Sequence, residues 1–268
     1  MLKFKVLTVF IMFFAISSVS YGSEIQREWI ERGDNFFNQR GENNDGDWAD
    51  TLPIENALSS YLKAYETGEP SEELIEKILK ASYFYATYAE KDPARQKEIL
   101  NRAIKIGEYG IKRYPNSVAI NYQMSGCWGR WGEANGIIAS ARQGVAEKIR
   151  GFAEKVISLD PKYADGGGYR ALGRLHFKAP YIPLILSWPD KKEALRLLSL
   201  AVGTGPENLT NHLFYAESLY HAGKIDKSLK EADIILDAEL NPKKIVEDLR
   251  DKKEAERLKE RISKESGK

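Results

Sequence analysis

Apolar residues recur at helical spacing along nearly the whole of this chain. After residue 23, segment after segment places apolar side chains at the i, i+3, i+4 and i+7 positions of one helix face, as residues 54–65 do. Helix start and stop signals separate these segments: Asp92-Pro93 begins one, and Tyr114-Pro115 ends it. Alternating runs of β-branched residues, which indicate strands, are absent. The sequence therefore predicts an all-α fold of about ten helices, followed by a charged C-terminal helix.

The predicted helices come in pairs with small residues at recurring positions. Ala103, Gly107 and Gly110 precede the helix stop at Pro115, and residues 209–236 carry the most complete pair. This spacing resembles the tetratricopeptide repeat, in which small residues allow two helices to approach closely. The stops at Pro115 and Pro161 lie 46 residues apart, against about 34 in a regular repeat. We therefore expect irregular tetratricopeptide-like hairpins stacked as an α-solenoid, with a concave surface formed by the first helix of each pair.

The N-terminal residues have the pattern of an export signal. Two lysines precede an eleven-residue, mostly apolar run at 6–16, which is too short to span a bilayer as a helix. Ser20-Tyr21-Gly22 then offers small residues for cleavage before Ser23. We expect a signal peptide at 1–22, a soluble periplasmic chain with a helical domain at 23–238, and a charged helix or tail at 239–268. The alternative is an uncleaved membrane anchor.

Composition argues against several classes of function. Forty Lys and Arg against 39 Asp and Glu leave a net charge of +1, so the sequence lacks the basic excess of a nucleic-acid-binding protein. A single cysteine, Cys127, allows neither an intrachain disulfide nor a cysteine-based zinc site, and it is expected to be a small buried residue rather than a reactive thiol. Three histidines and no nucleophile-elbow or His-Glu-x-x-His motif leave little for catalysis. The sequence predicts a non-enzymatic protein without a cofactor or a metal.

Two segments resemble a known transport family. Residues 166–198 join a Tyr/Arg-rich helix, an apolar proline-containing loop and an Asp-Lys-Lys-Glu-Ala-Leu helix start, and residues 126–132 read Gly-Cys-Trp-Gly-Arg-Trp-Gly. This order is similar to that of the T component of tripartite ATP-independent periplasmic (TRAP) transporters. The resemblance implies a helical periplasmic protein, a solute-binding partner protein, a small hydrophobic solute and assembly as a trimer. Family members are often lipoproteins, and no cysteine follows the apolar run here, so the resemblance does not extend to a lipid anchor.

Three features around these segments suggest a binding site. In the helix over 121–136, four glycines fall near one face and the aromatic residues on another, which fits either a tightly packed core or space for a ligand. The next candidate helix places Arg170, Arg174 and Lys178 in a cationic row, which needs carboxylate partners or faces an anion. The loop at 179–189 is apolar and forms a lid, a pocket wall or a subunit contact.

We expect aromatic side chains from these three features to converge around an apolar cavity, with Arg174 or His176 near its rim. The predicted ligand-binding residues are Trp128, Trp131, Tyr169, Arg174, His176, Tyr181 and Trp188. The main functional hypothesis is a periplasmic transport accessory that binds an apolar or organic-acid solute, a solute-binding protein, or both. The alternative is a general tetratricopeptide scaffold that docks a peptide or protein partner in its concave groove.

Overall fold

The computed structural model describes residues 24–180 and 186–266, which fold into eleven helices without a β-sheet. The helices are residues 24–38 (α1), Thr51–Thr67 (α2), Glu72–Phe84 (α3), Pro93–Arg113 (α4), Val118–Arg142 (α5), Val145–Leu159 (α6), Tyr163–Lys178 (α7), Lys191–Thr204 (α8), Leu209–His221 (α9), Ile225–Asp237 (α10) and Ile245–Ser266 (α11). A π-helical turn, Tyr85–Ala89, extends α3. The all-α prediction is confirmed, and the predicted signal peptide lies outside the described residues.

Side-chain caps explain why the helices begin where they do. At the start of a helix the first backbone N–H groups lack intrahelical acceptors, and a side-chain oxygen of the preceding residue can accept from one of them. In α4, Asp92 accepts from the N–H of Ala94, and Pro93 occupies the first turn, where its missing N–H costs nothing. The same kind of cap begins α2, α3, α5, α8 and α9, with Asp50, Ser71, Ser117, Asp190 and Asn208.

The helices stack as consecutive hairpins. Each helix from α2 onward packs against the next one in the chain, and α3, α5, α7, α9 and α11 also contact one another in that order. These odd-numbered helices form the inner layer, and α4, α6, α8 and α10 form the outer layer. Close approach between layers depends on small residues: a Cβ added to Gly168 of α7 would lie 2.8 Å from Ile157 Cγ1 and 3.1 Å from the Ile157 backbone nitrogen of α6.

The two ends of the solenoid meet. The loop between α1 and α2 carries Asp47, whose carboxylate forms ion pairs with Arg250 and with Lys253 (2.6 Å) of α11. The Arg250 guanidinium also lies 4.8 Å from the ring centre of Trp48, and Arg40 pairs with Glu247 at 3.1 Å. We call this set of contacts the closing contact. It joins residues more than 200 positions apart in the sequence.

The charged C-terminal helix α11 is packed rather than detached. Its apolar side contributes Ala255, Leu258 and Ile262, all buried against α9 and α10. The acidic residue Asp251 is buried as well and accepts a hydrogen bond from Thr210 Oγ1 of α9 at 2.7 Å. Burial raises the pKa of Asp251 to about 7, against the opposing effect of that hydrogen bond.

Candidate functional site

A cavity of about 670 Å³ opens on the inner layer. Its walls come from the end of α3, the length of α5, the start of α6 and the inner side of α7, with Phe214 of α9 at one edge. Most of the helices that line it are the odd-numbered ones, so the cavity lies on the face that the sequence predicts to be the binding surface of a solenoid. Its volume falls within the range of roughly 300–1,000 Å³ that ligand sites occupy.

Glycines form the α5 wall of the cavity. Gly126, Gly129, Gly132 and Gly136 all line it. A Cβ placed on Gly129 would meet no atom of the described residues within 4 Å, whereas one on Gly132 would lie 3.2 Å from Ser140 Oγ and 3.3 Å from Val145 Cγ1. The glycine face therefore creates open space at Gly129 and close packing at Gly132. A ligand in the cavity can approach the α5 backbone directly.

The last of these glycines breaks α5. Gly136 has φ 81° and ψ 173°, a backbone conformation that L side chains rarely adopt. The chain resumes its helix at once, and Ser140 Oγ donates to the Gly136 carbonyl at 2.8 Å. Ile137 and Ile138, directly after the break, point outward and are 66% and 72% exposed. Ile137 lines the cavity, so its rim is apolar and accessible.

The α7 wall is cationic. Arg170, Arg174 and Lys178 lie on successive turns and all line the cavity. Arg174 pairs with Glu217 of α9, which is the first of the two alternatives, a carboxylate partner on a neighbouring helix. Arg170 instead donates to Tyr122 OH at 2.5 Å and to Asn211 Oδ1 at 2.7 Å. Lys178 is exposed and forms no ion pair with the described residues.

The start of α7 holds Arg170 in place. Ala164, Asp165 and Gly166 have left-handed backbone angles, with φ of 50°, 59° and 76°. Asn211 stabilises this turn by donating to the Asp165 carbonyl at 2.9 Å, and Arg170 donates to the Ala164 carbonyl at 3.3 Å. Gly166, Gly167 and Gly168 are buried against α8, α5 and α6 respectively, so they serve close packing.

The end of α3 supplies polar groups that no sequence pattern indicates. Tyr83 and Thr87 line the cavity beside the π-helical turn. Burial raises the pKa of Tyr83, with smaller effects from Tyr122 and Glu133, so its phenol stays protonated at neutral pH. The buried Thr87 hydroxyl has no hydrogen-bond partner among the described residues. Turns of π-helix are frequent at functional sites, but they have no simple sequence signature.

The two tryptophans of α5 lie outside the cavity wall. Trp128 is buried and meets Trp131 edge-on, with 5.5 Å between ring centres. The Lys148 ammonium of α6 lies 3.7 Å from the Trp128 ring centre, and Trp131 Nε1 donates to Asn101 Oδ1 of α4 at 2.8 Å. These rings fill the packing between α4, α5 and α6. Cys127 beside them is buried, as predicted, and burial raises the pKa of its thiol to about 12.

His176 and Trp188 form a second aromatic pair outside the cavity wall. Their ring centres lie 5.0 Å apart, and His176 Nδ1 accepts from the backbone N–H of Asp190 at 3.1 Å. Trp188 Nε1 donates to Glu147 Oε1 at 2.6 Å. The pKa of His176 is lowered by burial above all and by the charge of Arg150, so the ring is neutral at neutral pH.

The structure thus brings the predicted binding residues together only in part. Arg174 lines the cavity, while Trp128, Trp131, His176 and Trp188 pack in pairs elsewhere. Tyr169 is half-buried against the main core, and Tyr181 lies outside the described residues. A role of these aromatic residues in ligand binding stays a prediction.

Comparisons with known proteins bear on the fold. The sequence matches no protein-family model and no curated protein at a significant level. Among solved structures, the chain is similar to TTC0263, a thermophilic TPR protein of Thermus thermophilus, with 13% identity, a TM-score of 0.56, and coverage of 79% of this chain and 90% of that chain. The fold is a tetratricopeptide-like solenoid. The MamA protein aligns at 15% identity with a TM-score of 0.48, over 82% of this chain and 98% of its own.

Two other kinds of site have no support in the part of the chain that the structure covers. Within residues 24–180 and 186–266, no group of three or more His, Cys, Asp or Glu side chains is arranged to hold a metal ion. None of the helices described above combines the length and the apolar character needed to cross a membrane.

Proposed function

We propose that this protein is an exported, non-enzymatic interaction scaffold that docks a segment of a partner protein in its inner cavity. The observation that carries the proposal is the glycine wall of α5, which leaves open space at Gly129 on the inner face of a tetratricopeptide-like solenoid. Glycine in a helix interior costs about 1 kcal/mol relative to alanine. At Gly129, no group in the described structure packs closely enough to offset that cost. The backbone of a bound partner segment would offset it by packing directly against the α5 backbone.

Site-specific photo-crosslinking in the producing cell tests this proposal. A photoreactive residue at Ile137, on the cavity rim, is expected to capture a discrete protein. The same residue at Gly151, an exposed position of α6 with open space around it, serves as the matched control. Gly129→Leu, which places a side chain in the open space of the cavity, should abolish capture from Ile137. Identical capture from both positions, or capture that ignores Gly129→Leu, contradicts the proposal.

A second candidate function is a periplasmic transport accessory that binds an organic-acid or apolar solute. It is favoured by the cavity volume of about 670 Å³, which suits a small molecule, and by the resemblance of residues 126–132 and 166–198 to the TRAP T component. Native mass spectrometry with medium-chain carboxylates such as decanoate tests it. A bound mass that disappears in Gly129→Leu supports a solute, and its absence at saturating concentration contradicts one.

Two parts of the proposal concern the whole protein. Export predicts a chain that begins at or near Ser23, which mass spectrometry of the exported fraction can verify; an intact Met1 in a membrane pellet contradicts it. The solute-binding partner and the trimer, both implied by the resemblance, are tested by sedimentation of the purified protein alone and with a candidate partner.

A further inference from the structure

We propose that the docked segment is acidic, with a carboxylate recognised at Lys178 and an adjacent apolar side chain seated between α5, α6 and α7. This inference rests on the proposed function and specifies the chemistry of the partner. It follows from two features of the cavity wall, namely its charge and the shape of its apolar part.

Positive charge prevails in the wall. Its cationic members are Arg130, Arg170, Arg174 and Lys178, and its carboxylates are Glu133 and Glu147. Arg130 is neutralised by Glu133 at 3.0 Å, and Arg174 is neutralised by Glu217. Arg170 and Lys178 are left without a carboxylate partner among the described residues. Glu147, whose Oε1 accepts from Trp188 Nε1, offsets one of these two charges, so the wall keeps a net positive charge. A cleft with an excess of charge of one sign attracts a ligand of the other sign.

Of these two cations, Lys178 is the one available to a ligand, since its ammonium lies 5.8 Å from the ring centre of Phe177 and forms no ion pair with the described residues. Arg170 is held inward by Tyr122 and Asn211, so it contributes positive potential rather than a movable donor. Lys178 lies in the last turn of α7, and its exposed ammonium can reach a ligand at the cavity mouth. Lys191 lies nearby: burial and then the charges of Lys178 and Arg174 lower its pKa, which indicates concentrated positive charge at this end of α7.

The apolar part of the wall fits a side chain next to the acidic group. Its apolar residues, in the same cavity as Gly129, are Val145 and Ile149 of α6, Leu175 of α7 and Leu186. Ile137 and Ile138 continue the apolar surface beyond the rim. A small organic anion inside the cavity would leave Ile138 uncovered, whereas a polypeptide segment covers both. The combination favours a protein partner with neighbouring acidic and apolar residues.

Fluorescence anisotropy with two synthetic peptides tests the inference. Both peptides have the same length and the same leucines; one carries glutamates at the charged positions and the other lysines. The glutamate peptide is expected to bind the purified protein, more weakly at higher salt. Lys178→Glu should weaken binding about tenfold or more, whereas Lys230→Glu, an exposed residue of α10, should leave it unchanged.

The cavity variants separate the possible failures. Gly129→Leu should abolish peptide binding and Gly151→Leu should not, and circular dichroism verifies that both remain folded. If the lysine peptide binds as tightly and is also blocked by Gly129→Leu, docking stands and the acidic partner is refuted. If Gly129→Leu changes the binding of neither peptide, the proposed function is refuted as well. If decanoate alone binds in a Gly129-dependent manner, the ligand is a small organic anion and the inference of a protein partner is overturned.

Discussion

Replacing Gly129 by alanine should stabilise the protein. Gly129 lies inside the regular part of α5, and a Cβ there meets no described atom within 4 Å. Alanine therefore gains helix propensity without overpacking, which is worth about 1 kcal/mol or slightly less. For a chain of this length, that gain raises the melting temperature by about 2–4 °C. Urea denaturation followed by circular dichroism and by tryptophan fluorescence measures the change, provided that the two transitions coincide.

A matched substitution in α7 should have the opposite sign. Gly168 is also a helical glycine, but a Cβ there would approach Ile157 Cγ1 to 2.8 Å and the Ile157 nitrogen to 3.1 Å. Because the added methyl group would displace the α6 backbone at Ile157, Gly168→Ala should lower the unfolding free energy by about 1–2 kcal/mol, even after the gain in helix propensity. A loss of stability in Gly129→Ala, or a gain in Gly168→Ala, would refute the assignment of one glycine to open space and the other to a helix contact.

Three titratable residues give further predictions. Because burial raises the pKa of Asp251 to about 7, its contribution to stability falls as the pH rises from 4 to 8, and Asp251→Asn should raise the unfolding free energy at pH 8 by roughly 1–4 kcal/mol. A hydrogen bond to Glu231 at 2.6 Å raises the pKa of the buried His212. The protonated ring therefore stabilises the folded state fully below pH 6.5, and this stabilisation fades as the pH rises further. His212→Ala should lower the melting temperature more at pH 6 than at pH 9. Burial would raise the pKa of Asp47, but Lys253 and Arg250 outweigh this effect and lower the pKa. Asp47→Ala should cost about 1–3 kcal/mol at neutral pH, a value between those of an exposed ion pair and a fully buried one, because Lys253 is 42% exposed. Hydrogen exchange in α11 should become faster, and unchanged exchange there would contradict a closing role.

Local signals in the sequence were sufficient to predict the helices. The start at Asp92-Pro93 follows from a side-chain cap and from proline geometry, both of which act within one turn. The pairing of helices was also predictable, because small residues recur where two helices approach. These features need no knowledge of distant parts of the chain.

The position of the cavity was not predictable in the same way. Periodicity groups Trp128 and Trp131 on one face of α5 and the glycines on another, but it does not tell which face meets which neighbour. In the folded chain the indoles pack toward α4 and α6, and the glycine face borders the cavity. Arg174 lines the cavity because α7, which sequence spacing alone cannot position, lies opposite α5.

The left-handed turn at the start of α7 escaped prediction for a related reason. Ala164 and Asp165 rarely adopt positive φ, and their conformation here is stabilised by Asn211, more than 40 positions away. The same holds for the closing contact, where Asp47 pairs with residues of α11. Partners so far apart in the sequence leave no local pattern, because each side chain alone looks like an ordinary surface charge.

The closing contact changes how this solenoid can unfold, whether under mechanical force or after loss of a terminal helix. An open array of repeats unfolds from its ends, since each unit is stabilised only by its neighbours. Here Asp47 fastens the first hairpin to α11, so neither terminal unit can fray without breaking contacts with the opposite end. The described chain should consequently lose its structure in a single cooperative step. Deleting α11 should weaken the N-terminal hairpin as much as the repeat on which α11 packs.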